Sequence, residues 1–247
     1  MNAVPLPPHP KLEKYYTHDA ARPGFVDEMF DHGAQSYEWV CRIMSLGTGS
    51  MYRRQALING GLASGMRLLD VATGTGLVLR PAGEVCGETR LTIGLDPSAG
   101  MLSECRKQSS APLVQARGEA LPFPDGYFDM VSTGYGLRHV GDLNTLFREY
   151  YRVVKPGGRI LVLELTQPST ALGRTLNRLF LGMLIPYIAR AWRGRAAGLM
   201  MNYFWETIET CVPPDTILGA MREAGFPDAA RTVSGGILSE YRAVRPL

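Results

Sequence analysis

The stretch "LLDVATGTGLVLRPAG", residues 68–83, places the tightest constraint on what this chain can fold into. An apolar run carries Asp70, two close glycines follow at Gly74 and Gly76, and a helical pattern begins directly after them. That order reads as a strand entering a ligand-binding turn at the start of a helix. The alternation then continues. "MRLLDVA" (66–72), "RLTIGLD" (90–96), "PLVQA" (112–116), "FDMVSTGY" (128–135) and "GRILVLEL" (158–165) read as strands, with stretches of helical composition between most of them. Strand, helix, strand in repeated order demands a parallel sheet with helices on both faces.

Within "DLNTLFREYYRVVK" (142–155), Leu143, Leu146, Phe147, Tyr150, Tyr151 and Val154 recur at helical spacing, and Pro156, Gly157 and Gly158 then break the chain before the fifth strand. Residues 167–212 form a further, mostly helical block. Beyond it, "PDTILGAMREAGF" reads as a helix and "AARTVSGGILSEYRAVR" as a hairpin. A length of 247 residues suits one domain with a full core.

Composition narrows the partner. A formal charge of +3 is too small a basic excess to imply nucleic acid, so a small molecule is expected. Cys41, Cys86, Cys105 and Cys211 lie far apart with no CxxC pair, which points away from a metal site or a disulfide framework and towards a reducing, cytoplasmic setting. The Pro-rich start "MNAVPLPPHPKLEKYY" has charges where a signal peptide needs an apolar run, and residues 1–24 are expected as a flexible arm. The apolar stretch 179–189 falls short of the ~20 residues that a bilayer crossing needs. Its arginine flanks, at 174, 178, 190, 193 and 195, leave two readings: a helix over the domain's own core, or an amphipathic element on an anionic membrane surface.

The glycine turn is neither a dinucleotide fingerprint, since Leu79 stands where the third glycine belongs, nor a P-loop, since no GK[ST] follows. What remains is Asp70, the close glycines, and Asp96 at the end of the next strand, placed to accept bonds from both hydroxyls of a ribose. These features fit a nucleoside without a pyrophosphate, or a glycine turn that only packs a helix on a strand.

"LLDVATGTG", "GLDPSAGML", "GEALPFPDGYFDMV" and "GYGLRHVGDLNTLFREYYRVVKPGGRILVLELTQP" together resemble the class I S-adenosylmethionine-dependent methyltransferases, most closely the ubiquinone/menaquinone biosynthesis C-methyltransferase family, over nearly the whole chain. The resemblance implies an α/β fold: a Rossmann-like, seven-stranded, mostly parallel sheet with helices on both faces and a C-terminal antiparallel hairpin strand. It implies one methyltransferase domain over 25–247, with 25–60 as an entry or lid segment and 167–212 as a helical insert on the substrate side. S-adenosylmethionine is the implied cofactor. Asp70, Thr73, Gly74 and Gly76 would line its methionine end, Asp96 would hold the ribose, and Met101, Gly118 and Glu119 would border the adenine. Tyr37 and Arg54 match positions near the cofactor and the mouth of the site. The implied partner is a small apolar acceptor, with peripheral membrane contact through 174–195 and a homodimer as further expectations.

Three positions depart from the family pattern: Arg117 replaces an acid near the adenine, Cys41 an asparagine of the entry segment, and His139 the asparagine after "GLR". Arg138 is implied to polarise a water or stabilise a phenolate. His139, beside it, titrates near neutrality and reads either as a proton acceptor or as a histidine bonded within its loop. Met, Phe, Tyr and Trp in the insert suit an apolar pocket and a plain core equally. Residue types alone leave open whether carbon, oxygen or nitrogen takes the methyl group. They also leave a quinone precursor, another small acceptor and a non-methylating binding role as alternatives.

Overall fold

The computed structural model describes residues 5–88 and 91–247, so the start of the expected arm and Arg90, the first residue of the expected second strand, lie outside the described residues. Among the described residues, seven strands form one sheet in the order β3-β2-β1-β4-β5-β7-β6. They are β1 (Leu68–Val71), β2 (Thr92–Asp96), β3 (Leu113–Gln115), β4 (Phe128–Gly134), β5 (Val154–Leu165), β6 (Ala230–Ser234) and β7 (Leu238–Val244). The first five run parallel, and β7 pairs antiparallel with both β5 and β6. Gly235 and Gly236, at φ 60° and 75°, make the hairpin turn between the last two strands, where only glycine turns without strain.

Period-two alternation divides the sheet between two apolar layers. Leu69, Val71, Val131 and Ile160 face α5 (Leu143–Val153) and α9 (Pro214–Glu223). Leu68, Met130, Leu161 and Leu163 face α2 (Gly49–Asn59) and α3 (Leu79–Cys86). Helix α5 buries Leu143, Leu146, Phe147, Tyr150 and Val153, a 3.6-residue stripe. Full burial of each such side chain contributes roughly 1.5–3 kcal/mol. Asp142 caps this helix by accepting the amides of Asn144 and Thr145 at 3.2 and 3.1 Å. The fifth strand starts earlier than the glycine break suggests, because Pro156 and Gly157 are absorbed as an irregularity in its pairing with β4 between Phe128 and Met130.

A third apolar layer stands over the carboxyl ends of the strands, where α1 (Arg22–Met44) packs on the insert. The insert comprises α6 (Ala171–Asn177), a π-helical stretch at Arg178–Leu184, α7 (Ile185–Arg193) and α8 (Arg195–Glu209). Pro186 explains the π stretch: it has no amide to continue the α ladder, and Ile185 before it bonds instead to the carbonyl of Phe180.

The described part of the arm is not loose. The Leu6 amide bonds the capping carboxylate of Asp142 at 2.8 Å, and His9 is 1% exposed. The chain docks because the cap offers a carboxylate and the third layer offers an aromatic bed for Tyr16, Phe25 and Tyr203.

Candidate active site

A cleft opens where the crossovers diverge, outside the carboxyl ends of β1, β2 and β4, the place where open α/β sheets bind ligands. Helix α1 covers it. The backbone around the cleft is built for close approach. Ala72 and Tyr135, which end the first and fourth strand turns, hold left-handed φ angles of 54° and 63°, costly for side chains with a Cβ. A Cβ on Gly136 would stand 2.4 Å from that of Ala72, so the two turns pack backbone to backbone. Neither strained residue was legible in the sequence, whose only signal was the glycine on either side of Tyr135.

Gly74, at φ 56°, would place a Cβ in open cleft with only Tyr37 Cε1 near it, at 3.9 Å. Its amide donates to Asp96 Oδ2 at 2.8 Å, and Ser98 N donates to Asp96 Oδ1 at 2.9 Å. Burial pushes the Asp96 carboxyl up to about 6, against these two bonds. Met101, Gly118, Glu119, Tyr37 and His139 share the lining. Gly118 is there for packing as well, since a Cβ would meet Leu146 at 2.6 Å. Glu119 accepts the Gly141 amide at 2.6 Å and so ties the loops after the third and fourth strands.

Asp70, Thr73 and Gly76, expected along the ligand, stand behind the turn instead. Asp70 is 0% exposed and spends both oxygens on Thr73 Oγ1 and Ser132 Oγ, each at 2.7 Å. A Cβ on Gly76 would strike Cys105 Sγ at 2.8 Å, so this glycine seats α4 (Ala99–Arg106). Arg117 forms an ion pair with Asp27 on α1, and both residues border the cleft. The charge that replaces the family's acid therefore latches the covering helix.

Arg138, expected at the acceptor, is instead a structural residue. Its guanidinium is fully buried against Glu164 at 3.0 Å, donates to Thr207 Oγ1 at 2.6 Å and to the Phe204 carbonyl at 3.1 Å, and borders neither the cleft nor the cavity beside it. A side chain locked between β5 and α8 cannot reach an acceptor. His139 does face the cleft, stacked on Tyr203 at 5.7 Å and edge-on to Phe30 at 5.0 Å. Both of its ring nitrogens are buried without a protein partner. Burial, then the Arg138 charge, holds its pKa well below the usual histidine value, so the ring is neutral. The loop hydrogen bond considered for this ring is not made. Arg54 also misses the site: its side chain is half exposed, and its nearest acid is Glu84 at 4.0 Å. Its neighbour Arg53 points inward.

Beside the cleft lies a second cavity with a largely apolar lining that includes Met44, Leu165, Phe180, Phe204 and Leu238. Tyr37 and Tyr135 border both spaces. The insert thus contributes to a pocket as well as to a core.

A crevice at the switch point, with a glycine turn under it and a buried acid at the end of the second strand, together with the match to a methyltransferase family, marks a class I S-adenosylmethionine-dependent methyltransferase. More closely, the chain belongs to the ubiE/COQ5 methyltransferase family, whose sequence model matches residues 17–245. It is similar to the ubiquinone/menaquinone biosynthesis C-methyltransferase UbiE of Photorhabdus laumondii, 32% identical over 90% of this chain and 91% of that protein. To the UbiE of Pectobacterium carotovorum it is 33% identical, over 89% and 90%. Among solved structures, a SAM-dependent methyltransferase from Thermotoga maritima aligns with a TM-score of 0.61 at 18% identity, over 89% of this chain and 99% of that one. The Haemonchus contortus phosphoethanolamine N-methyltransferase 2 in complex with S-adenosyl-L-methionine aligns at 0.64 and 16%, over 92% of this chain and 60% of that one. At these identities the two structures share the fold. The cofactor is S-adenosylmethionine, and the residues present fit it: Gly74 leaves space that a Cβ would fill, and Asp96 stands at a strand end with an apolar neighbour in Met101.

Proposed function

We propose that the protein methylates a ring carbon of a small, largely apolar aromatic acceptor of the quinone-precursor type, seated in the cavity beside the cleft. The apolar cavity that shares Tyr37 and Tyr135 with the cofactor cleft carries this reading. The names of the bacterial relatives, C-methyltransferases of ubiquinone and menaquinone biosynthesis, support the acceptor class. In the cleft, S-adenosylmethionine supplies a methyl group on a sulfonium, which is already a good leaving group. The protein's task is therefore to align acceptor and methyl and to keep water out.

In this reading Gly74 and Asp96 hold the nucleoside, Met101, Gly118 and Glu119 border its base, and Tyr37 sits between the two spaces. Asp70, Thr73 and Gly76 keep the turn in shape. His139 is the proton acceptor. It is neutral, its nitrogens have no protein partner, and it lines the cofactor cleft, so it can take the proton that leaves the ring carbon once that carbon has met the methyl group there.

The acceptor cavity shares a wall with an exposed apolar stripe. Along 171–193, Leu172, Leu176, Leu179, Met183 and Tyr187 recur every three or four residues on the outside, with Leu172 and Tyr187 each 70% exposed. Phe180, 36% exposed, lies next to the stripe and also lines the cavity. The arginines at 174, 178, 190, 193 and 195 flank it, which suits an anionic lipid surface from which an apolar acceptor would enter.

The test is incubation with methyl-labelled S-adenosylmethionine and a series of alkylated hydroquinones, with the product's substitution read by NMR. A C-methylated ring is expected. An O-methyl ether, or transfer only to amines, would replace this reading with a methyltransferase of another small-molecule pathway.

A further inference from the structure

Arg53, on α2, is a cation that makes no ion pair among the described residues. It is 6% exposed, its guanidinium carbon lies 5.3 Å from the centre of the Tyr135 ring, and its buried Nε has no partner. Among the described residues it makes neither an ion pair nor a hydrogen bond. The nearby acids bond other groups, and the charge of Asp70 acts on Arg53 only through space. Asp70 bonds Thr73 and Ser132, Glu38 bonds Arg80 and Gln108, and Glu164 faces Arg138. One helical turn earlier, the missing side chain of Gly49 leaves the room that the guanidinium occupies, since a Cβ there would stand 2.5 Å from Arg53 Nη1.

Buried charges are ordinarily paired, because the desolvation they suffer must be offset. A guanidinium is suited to offset it with an oxyanion, to which its planar fork donates two parallel bonds. Arg53 lines the apolar cavity on one side and a polar cleft between α1 and α3 on the other. Tyr135, beneath it, also borders the cofactor cleft.

We propose that Arg53 receives an oxyanion carried by the methyl acceptor, a carboxylate or a phenolate on an otherwise apolar aromatic ring. The inference rests on the reading of this cavity as the acceptor site. It adds a selection rule: at equal shape, the acid is bound and its neutral analogue is not. It also sets the direction of the acceptor, with the anionic end at Tyr135 beside the cofactor and the apolar body towards Phe180 and Leu238.

The experiment is calorimetric titration of the full chain, saturated with S-adenosylhomocysteine, with 2-naphthoate and with neutral 2-naphthamide. The acid should bind about ten-fold or more tightly than the amide, as one charge-assisted contact predicts. Arg53→Met should remove that preference while S-adenosylhomocysteine affinity is retained, and Arg53→Lys should keep part of it. 4-Nitrophenol serves as the phenolate probe: its yellow anion band should grow on binding to the wild type and not to Arg53→Met. Equal affinity for acid and amide, a preference that survives in Arg53→Met, or no binding of any probe by a protein that binds S-adenosylhomocysteine would each overturn the proposal. Ile237→Trp, which fills the cavity at another wall, separates the two levels. If it leaves all probe affinities unchanged, the cavity is not the acceptor site, whatever the acid preference.

Discussion

Asp96 accepts the amide of Gly74 at 2.8 Å, so the acid that ends β2 and the glycine turn that follows β1 are positioned by a single bond. Its other oxygen accepts the Ser98 amide, and the residue borders the cleft. Asp96→Ala should weaken S-adenosylmethionine binding by ~1–3 kcal/mol, measured by calorimetry, through the lost charge-assisted bonds. Unchanged affinity would remove Asp96 from the cofactor site.

His139→Asn tests the proton acceptor. Turnover should fall about 10²-fold with cofactor affinity nearly unchanged, because the imidazole acts on the acceptor and not on the nucleoside. Full activity in the variant would exclude the role.

Arg138→Met tests a structural role against a catalytic one. Removal of the guanidinium leaves Glu164 as a buried carboxylate without its partner, a change that typically costs 3–5 kcal/mol. Urea denaturation should show that loss. The double variant Arg138→Met, Glu164→Gln should recover part of the stability and, with it, activity, an outcome incompatible with Arg138 acting on substrate.

His9 makes stability depend on pH. Its Nε2 meets Arg22 Nη2 at 2.8 Å and its Nδ1 meets the Pro10 carbonyl at 2.7 Å, which fits one neutral tautomer. Burial, then the Arg22 charge, lowers its pKa to about 4. Between that value and the unfolded value near 6.5, the unfolded chain binds more protons, so this contribution is complete above about pH 6.5 and is lost as pH falls towards 4. At about pH 5 the loss is about 2 kcal/mol. Asp70 and Asp96, with raised values, act in the opposite sense, so the informative quantity is the difference between wild type and His9→Gln across the window. A parallel pH dependence in the two proteins would refute the assignment.

Vesicle sedimentation tests the outer stripe. Binding to vesicles that contain anionic lipid should exceed binding to neutral ones, weaken with added salt, and fall in Leu172→Ser, Tyr187→Ser. Concentration-dependent dimerisation lost in the same variant, without lipid binding, would assign the stripe to a second copy of the chain.

Much of the fold was legible because the signals for it are local. Apolar runs with a two-residue period, helical stripes such as Leu143 to Val153, and the Gly235-Gly236 turn each act within a few residues, and together they dictate a parallel sheet closed by a hairpin. The placement of Asp96 at a strand end and of Gly74 in a turn was legible for the same reason, since strand ends and glycine turns announce themselves. The direction of individual side chains was not. Arg53 and Arg54 are adjacent on one helix, and only its packing on the sheet sends the first inward and the second out. Arg138 meets partners 66 and 69 residues away, and His9 is buried by contacts assembled from α1, the loop after β4 and α8. The outward apolar stripe of 171–193 has the composition of a core helix, and its neighbours alone show that none of the described residues covers it. Propensity and periodicity are properties of neighbouring residues, whereas burial, charge pairing and pKa depend on groups that the chain brings together from a distance. The sequence by itself thus determined the sheet, the turn and the cofactor class. Tertiary structure decided which way each cation points, with Arg138 paired to Glu164 inside the fold and Arg53 facing a cavity.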